Sequence, residues 1–162
     1  KYEFIALGGM VPESSAFLRV WLDELWGDLL TKPNGEPRLK VHGFGLTAFD
    51  LMMRYPWFSV DSTSWVLTGR FGSIMTLADD GRVIKTCISS ESPRRRAWDR
   101  HYDTLPPAQQ EAFSRLVEER GYTVEDLRTV YWKRDLWNID FFKSLNDRPV
   151  LPFKRTKVSL FT

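Results

Sequence analysis

Three short clusters hold the residue types that chemistry needs: Gly8-Gly9-Met10, His42-Gly43-Phe44-Gly45 and Asp61-Ser62-Thr63-Ser64. Glycine leaves backbone N–H groups uncovered, so a flat ligand can lie against them. An aspartate beside such a floor can act as a nucleophile or a base, and its carboxylate is ionised at neutral pH without a deprotonating partner. The same residues also suit a plainer use, with the glycines as turn residues and Asp61 as a helix cap. His42 has two uses as well, as a hydrogen-bonded strand-end histidine or as a contact to a ligand. A second set is basic. Arg94, Arg95 and Arg96, with Arg70 and Arg100, can grip phosphates, and the neighbouring Trp98, His101 and Tyr102 offer stacking surfaces for an unpaired strand. Charge runs also serve as solvated faces. Cys87 reads as packed in a hairpin rather than reactive.

The elements around these clusters alternate. Glu3 to Leu7 is a short apolar run ended by glycines, the pattern of a buried parallel strand. Ser14 or Ser15 can cap a helix whose apolar positions are Leu18, Trp21, Leu22, Leu25, Trp26 and Leu29. Thr31 to Pro37 is turn chemistry. Arg38 to Gly45 is a second strand, and Thr47 with Asp50 predicts a capping box for a helix stopped by Pro56. Trp57 to Val60 then reads as a third strand with Asp61 at its end. Strands and helices in this order predict parallel βαβ units, in which chemistry gathers at the carboxyl ends of strands.

Beyond Gly72 the pattern changes. Ser73 to Leu77 and Arg82 to Ile88 flank Asp80-Gly81, a hairpin signal. A basic stretch covers Ser92 to Asp103. Pro106 and Pro107 open a helix through Phe113, Leu116 and Val117 that Gly121 closes. Thr123 with Asp126 caps another through Leu127, and Asp135 is expected to cap a last one containing Ile139, Phe142 and Leu145. Pro149 to Thr162 reads as an extended basic tail.

Composition narrows the classes. With 162 residues, 43% of them hydrophobic, the chain can bury one core. The formal charge of +2 means that attraction to nucleic acid must come from local clusters. One cysteine excludes an intramolecular disulfide and a multi-cysteine zinc site, which fits a reducing compartment and predicts a cytoplasmic protein. No cofactor is expected. No apolar run approaches the roughly 20 residues that cross a bilayer, and no charged-then-apolar leader precedes the first strand.

The order of residues resembles the tRNA-guanine transglycosylases and their relatives that insert 7-deazaguanine bases into DNA. Ile5-Ala6-Leu7-Gly8-Gly9-Met10, with Glu13 beyond, looks like that family's Gly-Gly-Leu base-binding loop followed by a glutamate. His42-Gly43-Phe44-Gly45-Leu46-Thr47 is similar to its hydrophobic-Gly-Val-Gly strand end. Ser59-Val60-Asp61-Ser62 falls where the family has Asp-Met-Phe-Asp-Cys, so Asp61 takes the nucleophile's place. Thr68-Gly69-Arg70-Phe71-Gly72 and the hairpin at Asp80-Gly81 are similar to its Thr-Arg stretch and following hairpin, and Asn138-Ile139-Asp140-Phe141-Phe142 is a weaker echo. Two departures stand out. Bacterial members hold zinc with three cysteines and a histidine, whereas this chain has Cys87 alone and Trp137 in the histidine's place. The family fold is a complete (β/α)8 barrel of about 250 residues, and this sequence matches its later strands only.

The resemblance therefore implies an α/β fold in which residues 1–90 form the later strands of a (β/α)8 TIM-type barrel with a hairpin. Residues 91–162 form a basic loop, helices and a tail packed on it, without a zinc subdomain. It implies a base-exchange enzyme with Asp61 as nucleophile, with Gly8, Gly9, Met10, His42, Phe44 and Gly45 binding the base and Arg70, Arg94, Arg95 and Arg96 the phosphates. Its partners would be DNA or RNA, a 7-deazaguanine base and a second chain completing the barrel. The missing zinc site is closer to the divergent, phage-type DNA members. The alternative is a non-catalytic nucleic-acid-binding or accessory subunit of such an enzyme.

Overall fold

The structure, a computed structural model, describes residues 2–11, 13–78, 80–93, 95, 101–149 and 151–154. The chain divides into two compact units, Lys1–Thr63 with Pro149–Thr162, and Ser64–Arg148.

In the first unit, β1 (Phe4–Leu7), β2 (Lys40–Gly43) and β3 (Ser59–Val60) form a parallel sheet in chain order, with α1 (Ser15–Glu24) and α2 (Phe49–Arg54) in the crossovers. Ser14 caps α1 by accepting from the Phe17 N–H at 3.2 Å. The helix then widens into a π-helical segment, Leu25–Leu30, in which the Thr31 N–H reaches the Trp26 carbonyl at 3.1 Å. An i→i+5 turn advances the side chains less per residue than an α turn. Leu30 is thereby buried while Leu29, expected inside, is 64% exposed. The helix α2 starts one residue later than the expected capping box, with Ala48 in the cap position and no side-chain cap bond. Asp50 instead accepts from Arg19 at 2.6 Å. Leu18, Leu22, Trp26, Val41, Leu51, Tyr55 and Trp57 form the core, joined by Phe153 from the C-terminal segment. The Phe153 N–H donates to the Gly35 carbonyl at 2.9 Å, and its ring lies 5.3 Å from that of Tyr55.

Strand alternation divides the sheet into two faces. Ile5, Leu7, Val41 and Val60 turn to the core, whereas Phe4, Lys40, His42 and Ser59 turn to the other face. Phe4 on that face is 49% exposed, and it meets Phe58 edge-on at 5.9 Å.

The second unit holds α3 (Ser64–Arg70), β4 (Ser73–Leu77), β5 (Val83–Cys87), a 3-10 turn at Tyr102–Thr104, α4 (Pro107–Glu119), α5 (Val124–Thr129) and α6 (Tyr131–Leu145). The hairpin pairs β4 with β5 from Ser73↔Cys87 to Leu77↔Val83. Its turn uses Gly81 at φ 82° and an Asp80 carboxylate that accepts from the Arg82 N–H at 3.0 Å. Thr123 and Asp126 form the expected capping box. Ile74 and Ile88 of the hairpin region share one core with Phe113, Val117, Leu127 and Trp137. That shared core joins hairpin to helices and sets the division after Thr63, whereas the sequence reading sets it at residue 90.

Helix α6 begins at Tyr131, so Asp135 lies within it and not at its cap. There its Oδ1 sits against Gly69 of α3, leaving no room for a β-carbon. The fully buried Asn138 accepts from the Met75 N–H at 2.9 Å and donates to the Trp65 and Ser73 carbonyls, each at 3.2 Å. Trp137 donates to the Met75 carbonyl at 2.8 Å. The buried Arg134 donates to the Gly69 and Leu127 carbonyls at 3.1 and 2.9 Å.

The architecture is α/β, as expected. Its two small sheets do not close into a barrel among the described residues. No helix among them is long and apolar enough to cross a membrane.

Candidate functional site

Parallel pairing brings the three sequence clusters to one edge of the first unit. The Phe44 N–H donates to the Leu7 carbonyl at 2.9 Å, and the Asp61 N–H donates to the Gly43 carbonyl at 3.1 Å. The carboxyl ends of β1, β2 and β3 therefore lie side by side. At this edge the Asp61 side chain turns back to the neighbouring strand end, and its Oδ1 accepts the Gly45 N–H. Asp61 itself is exposed.

The glycines here have separate uses. Gly45 has φ 65°, a left-handed conformation that side chains resist, and a β-carbon would stand 3.0 Å from a Val11 methyl. That conformation belongs to the backbone bend whose N–H meets Asp61. Gly8 and Gly9 face open space, so their backbone is approachable from outside. Gly43 serves packing, because a β-carbon would meet the Trp57 ring at 3.2 Å and the Met10 Cε at 3.4 Å. Met10 is consequently 3% exposed and part of the core, which overturns its expected place over a bound base.

The β2–β3 register sets His42 opposite Ser59 and Gly43 opposite Val60. Continuing the alternation places Phe44 and Asp61 on the same face as that pair, away from the helices. His42 Nδ1 lies 2.8 Å from Ser59 Oγ. Phe44 is 51% exposed and meets the His42 ring edge-on, with centroids 4.6 Å apart. A carboxylate with one oxygen held by an amide, on the same sheet face as an imidazole and an open aromatic ring, offers groups suited to nucleophilic or proton-transfer chemistry. Ser59 is the site residue that sequence reasoning passed over. Its signal was its place two residues before Asp61, on the strand that leads to it.

Of the expected phosphate-binding arginines, Arg70 and Arg95 are described. Arg70 ends α3 in the second unit and is exposed. Arg95 is exposed but engaged, its Nε donating to Asp103 at 2.8 Å. Arg94 and Arg96, with Trp98 and Arg100, lie outside the described residues. His101 and Tyr102 are not stacking surfaces. His101 is fully buried, its Nε2 3.0 Å from the Ser89 carbonyl, while its Nδ1 accepts the Asp103 N–H at 3.1 Å. Tyr102 packs against Phe113 at 5.4 Å and pairs with Ser114 at 3.0 Å. The Arg128 guanidinium holds the Asp103 carboxyl down to about 2 against the opposing effect of burial, with Arg95 assisting. Cys87 is buried and lies 3.1 Å from the Ser92 hydroxyl.

Two clefts of the first unit lie elsewhere. One of 560 Å³ is lined by residues that include Tyr2, Lys40, Trp57 and Phe58, and another of 520 Å³ by residues that include Arg19, Asp50 and Lys154. Neither includes the strand-end residues, which form an open edge. Among the described residues no cluster of three or more His, Cys, Asp or Glu is placed to hold a metal ion. No family model, curated protein or solved structure matches the chain.

Proposed function

We propose that the chain supplies the nucleophile of a base exchange in which guanine in DNA or tRNA is replaced by a 7-deazaguanine, through a covalent glycosyl ester on Asp61. The observation that carries this reading is the Asp61 carboxylate, exposed at the strand ends with Oδ1 tied to the Gly45 N–H. The tie engages one oxygen and leaves the second to attack. That oxygen attacks C1′, the bond to guanine breaks, and the incoming base then attacks the same carbon and releases the carboxylate. Two displacements retain configuration and give ping-pong kinetics. The target nucleotide has to be unstacked, because a base within a duplex is out of reach. The approachable Gly8–Gly9 backbone offers N–H groups to the base edge, and Phe44 offers a ring face.

The finer fold of this reading is the later part of a (β/α)8 barrel. Its support is the strand order β1-β2-β3, in which each strand pairs with the next one in the chain. Both crossover helices also contribute to a single core on one side of the sheet. Doubly wound sheets place helices on both sides. In this proposal a further polypeptide segment completes the barrel.

The test uses the protein in its native complex and a guanine-containing oligonucleotide. Wild type should form an adduct stable to denaturation, detected by mass, and Asp61→Asn should form none. An adduct in Asp61→Asn would refute the assignment. Undiminished exchange by the Asp61→Asn complex would make this chain an accessory subunit.

A further inference from the structure

The open face of the first unit's sheet carries a lysine among aromatic rings. Lys40 is register-paired with Phe4, and its Nζ lies 4.7 Å from the Phe58 ring centre. Phe58 in turn meets Phe4 at 5.9 Å. The ammonium thus rests on an aromatic surface, with the 560 Å³ cleft lined by Tyr2, Trp57 and Phe58 opening beside it. No carboxylate among the described residues forms an ion pair with it. Resting on the barrel reading, in which a further segment covers this face, we propose that the covering segment is an apolar β-segment that brings one carboxylate, from Asp or Glu, to Lys40.

Charge complementarity selects this partner. While the face is open, water solvates the ammonium and the rings stand exposed, Phe4 at 49% and Phe58 at 57%. Covering the rings takes water from Lys40 as well, because it lies on them. Attraction to a single ring returns only part of the hydration that an ammonium loses. A carboxylate hydrogen-bonded to it offsets the rest. Its neighbours in this chain do not supply one. Phe4 and Ala6 of β1 and Ser59 of β3 share the face and carry no charge. Glu3 lines the cleft, but it alternates with Ile5 and Leu7 toward the core face. Arg38 also lines the cleft, its Nε donating to the Thr31 carbonyl at 2.7 Å, and adds positive charge. Asp61 stands at the other end of the strands. Lys40 is two residues before His42, which is level with Ser59, and Asp61 is two residues past Ser59, about 13 Å from Lys40 along the strands.

Barrel geometry says where the carboxylate comes from. The inward side chains of a (β/α)8 barrel meet in layers supplied by alternate strands. The layer mates of β2 are therefore the strands beyond β1 and beyond β3, and both lie outside the three-stranded sheet. The carboxylate belongs to the amino-terminal end of the barrel. At that distance from Asp61 it holds the assembly together and is distinct from the groups that move protons at the reacting base.

The experiment treats the native complex with a water-soluble carbodiimide, which joins an amine to a carboxylate in contact with it. An amide bond forms, and the carboxylate oxygen leaves on the reagent as a urea. Peptide mass mapping should find Lys40 joined to an Asp or Glu outside residues 1–162, within a segment of alternating apolar residues. Lys40→Arg should keep the complex and lose the cross-link. Lys40→Glu should weaken assembly by about a hundred-fold or more, read by native mass spectrometry across a dilution series. Exchanging the mapped carboxylate for lysine should restore assembly of Lys40→Glu, which also shows that the variant is folded. A cross-link from Lys40 to Glu3 or to a second copy of this chain, no Lys40 cross-link in the assembled complex, or assembly of Lys40→Glu at wild-type strength would overturn the proposal and leave the reading of Asp61 standing. The mapped cross-link in a complex that forms no Asp61 adduct on the guanine oligonucleotide would uphold the interface and refute that reading. A native mass of residues 1–162 alone, with the Asp61 adduct still formed, would overturn closure of the barrel and this proposal with it.

Discussion

Substituting Asn138 by leucine should destabilise the second unit by about 2–5 kcal/mol, because it leaves a buried backbone donor without a partner and removes two donors from partly buried carbonyls. Met75 lies in β4 and is 2% exposed, so water cannot replace what is lost. Two successive residues of α6 meet both of its polar groups, Asn138 taking the N–H at 2.9 Å and Trp137 giving to the carbonyl at 2.8 Å. The orphaned N–H alone accounts for about 1–3 kcal/mol, and each lost donor to Trp65 and Ser73 for about 0.5–1.5 kcal/mol before relaxation. Leucine keeps the branched shape of asparagine and is the larger side chain, so the loss does not come from a cavity. Urea unfolding measures the total, and hydrogen exchange at the Met75 amide isolates the local part. Trp137→Phe removes the companion bond, and a double-mutant cycle should show coupling of at least about 0.5 kcal/mol, since both residues hold the backbone of Met75. A loss below about 1 kcal/mol, with the Met75 amide as protected as in wild type, would refute the reasoning.

Asp103 is held down to about 2 by Arg128, with Arg95 assisting, so its contribution is present above the ordinary value of 3.8 and is lost as pH falls from there to about 2. With its side chain 25% exposed, the contribution is of order 2 kcal/mol; denaturation curves across that window should lose this acid limb in Asp103→Asn. Gly69→Ala should destabilise by about 1–3 kcal/mol despite alanine's better helix propensity, because the new methyl overlaps Asp135 Oδ1. Asp135→Ala in the same chain should restore most of that loss in thermal unfolding, and a lack of rescue would show that the clash is not the cause. Phe153→Ala, truncating a ring that is 6% exposed against Tyr55, should lower the stability of the first unit by about 3–5 kcal/mol in urea.

Local signals were legible wherever they were self-contained. Ser14, the Thr123–Asp126 box, Asp80-Gly81 and Gly121 act within a few residues of themselves, and each lies where its chemistry predicts. Signals that depend on distant partners were not. Helix α3 carries β-branched residues and a glycine, a poor helix by propensity, and it is held by Arg134 and Asn138, which lie more than sixty positions later. Asp135 reads as a cap because short acidic residues favour caps, but its place is fixed by the glycine it covers. The π turn displaced Leu29 because apolar spacing of three and four assumes a uniform helix. At the strand ends, the clusters of glycine, histidine and aspartate were readable. That Met10 belongs to the core, and that Ser59 belongs with His42, depends on the pairing register.

The register also explains why these side chains are available for chemistry. In the first unit the helices use one face of the sheet, and the residues there have packing duties that fix their size, as Gly43 between Trp57 and Met10 illustrates. His42, Phe44, Ser59 and Asp61 alternate onto the other face and bear no such duty. Parallel sheets are rarely left wet on one side, yet Phe4 and Phe58 stand 49% and 57% exposed there, with the Lys40 ammonium 4.7 Å from the Phe58 ring centre. Under the barrel reading, the strands that cover Phe4 and Phe58 also wall in His42 and Asp61. Covering would remove water from the His42–Ser59 pair and from the open Asp61 oxygen, strengthening the electrostatic interactions between them. Completion of the fold and assembly of the site then become one event. Loss of the covering segment should abolish adduct formation while the Gly45–Asp61 tie persists, a separation that NMR of the Gly45 amide in the isolated chain can observe.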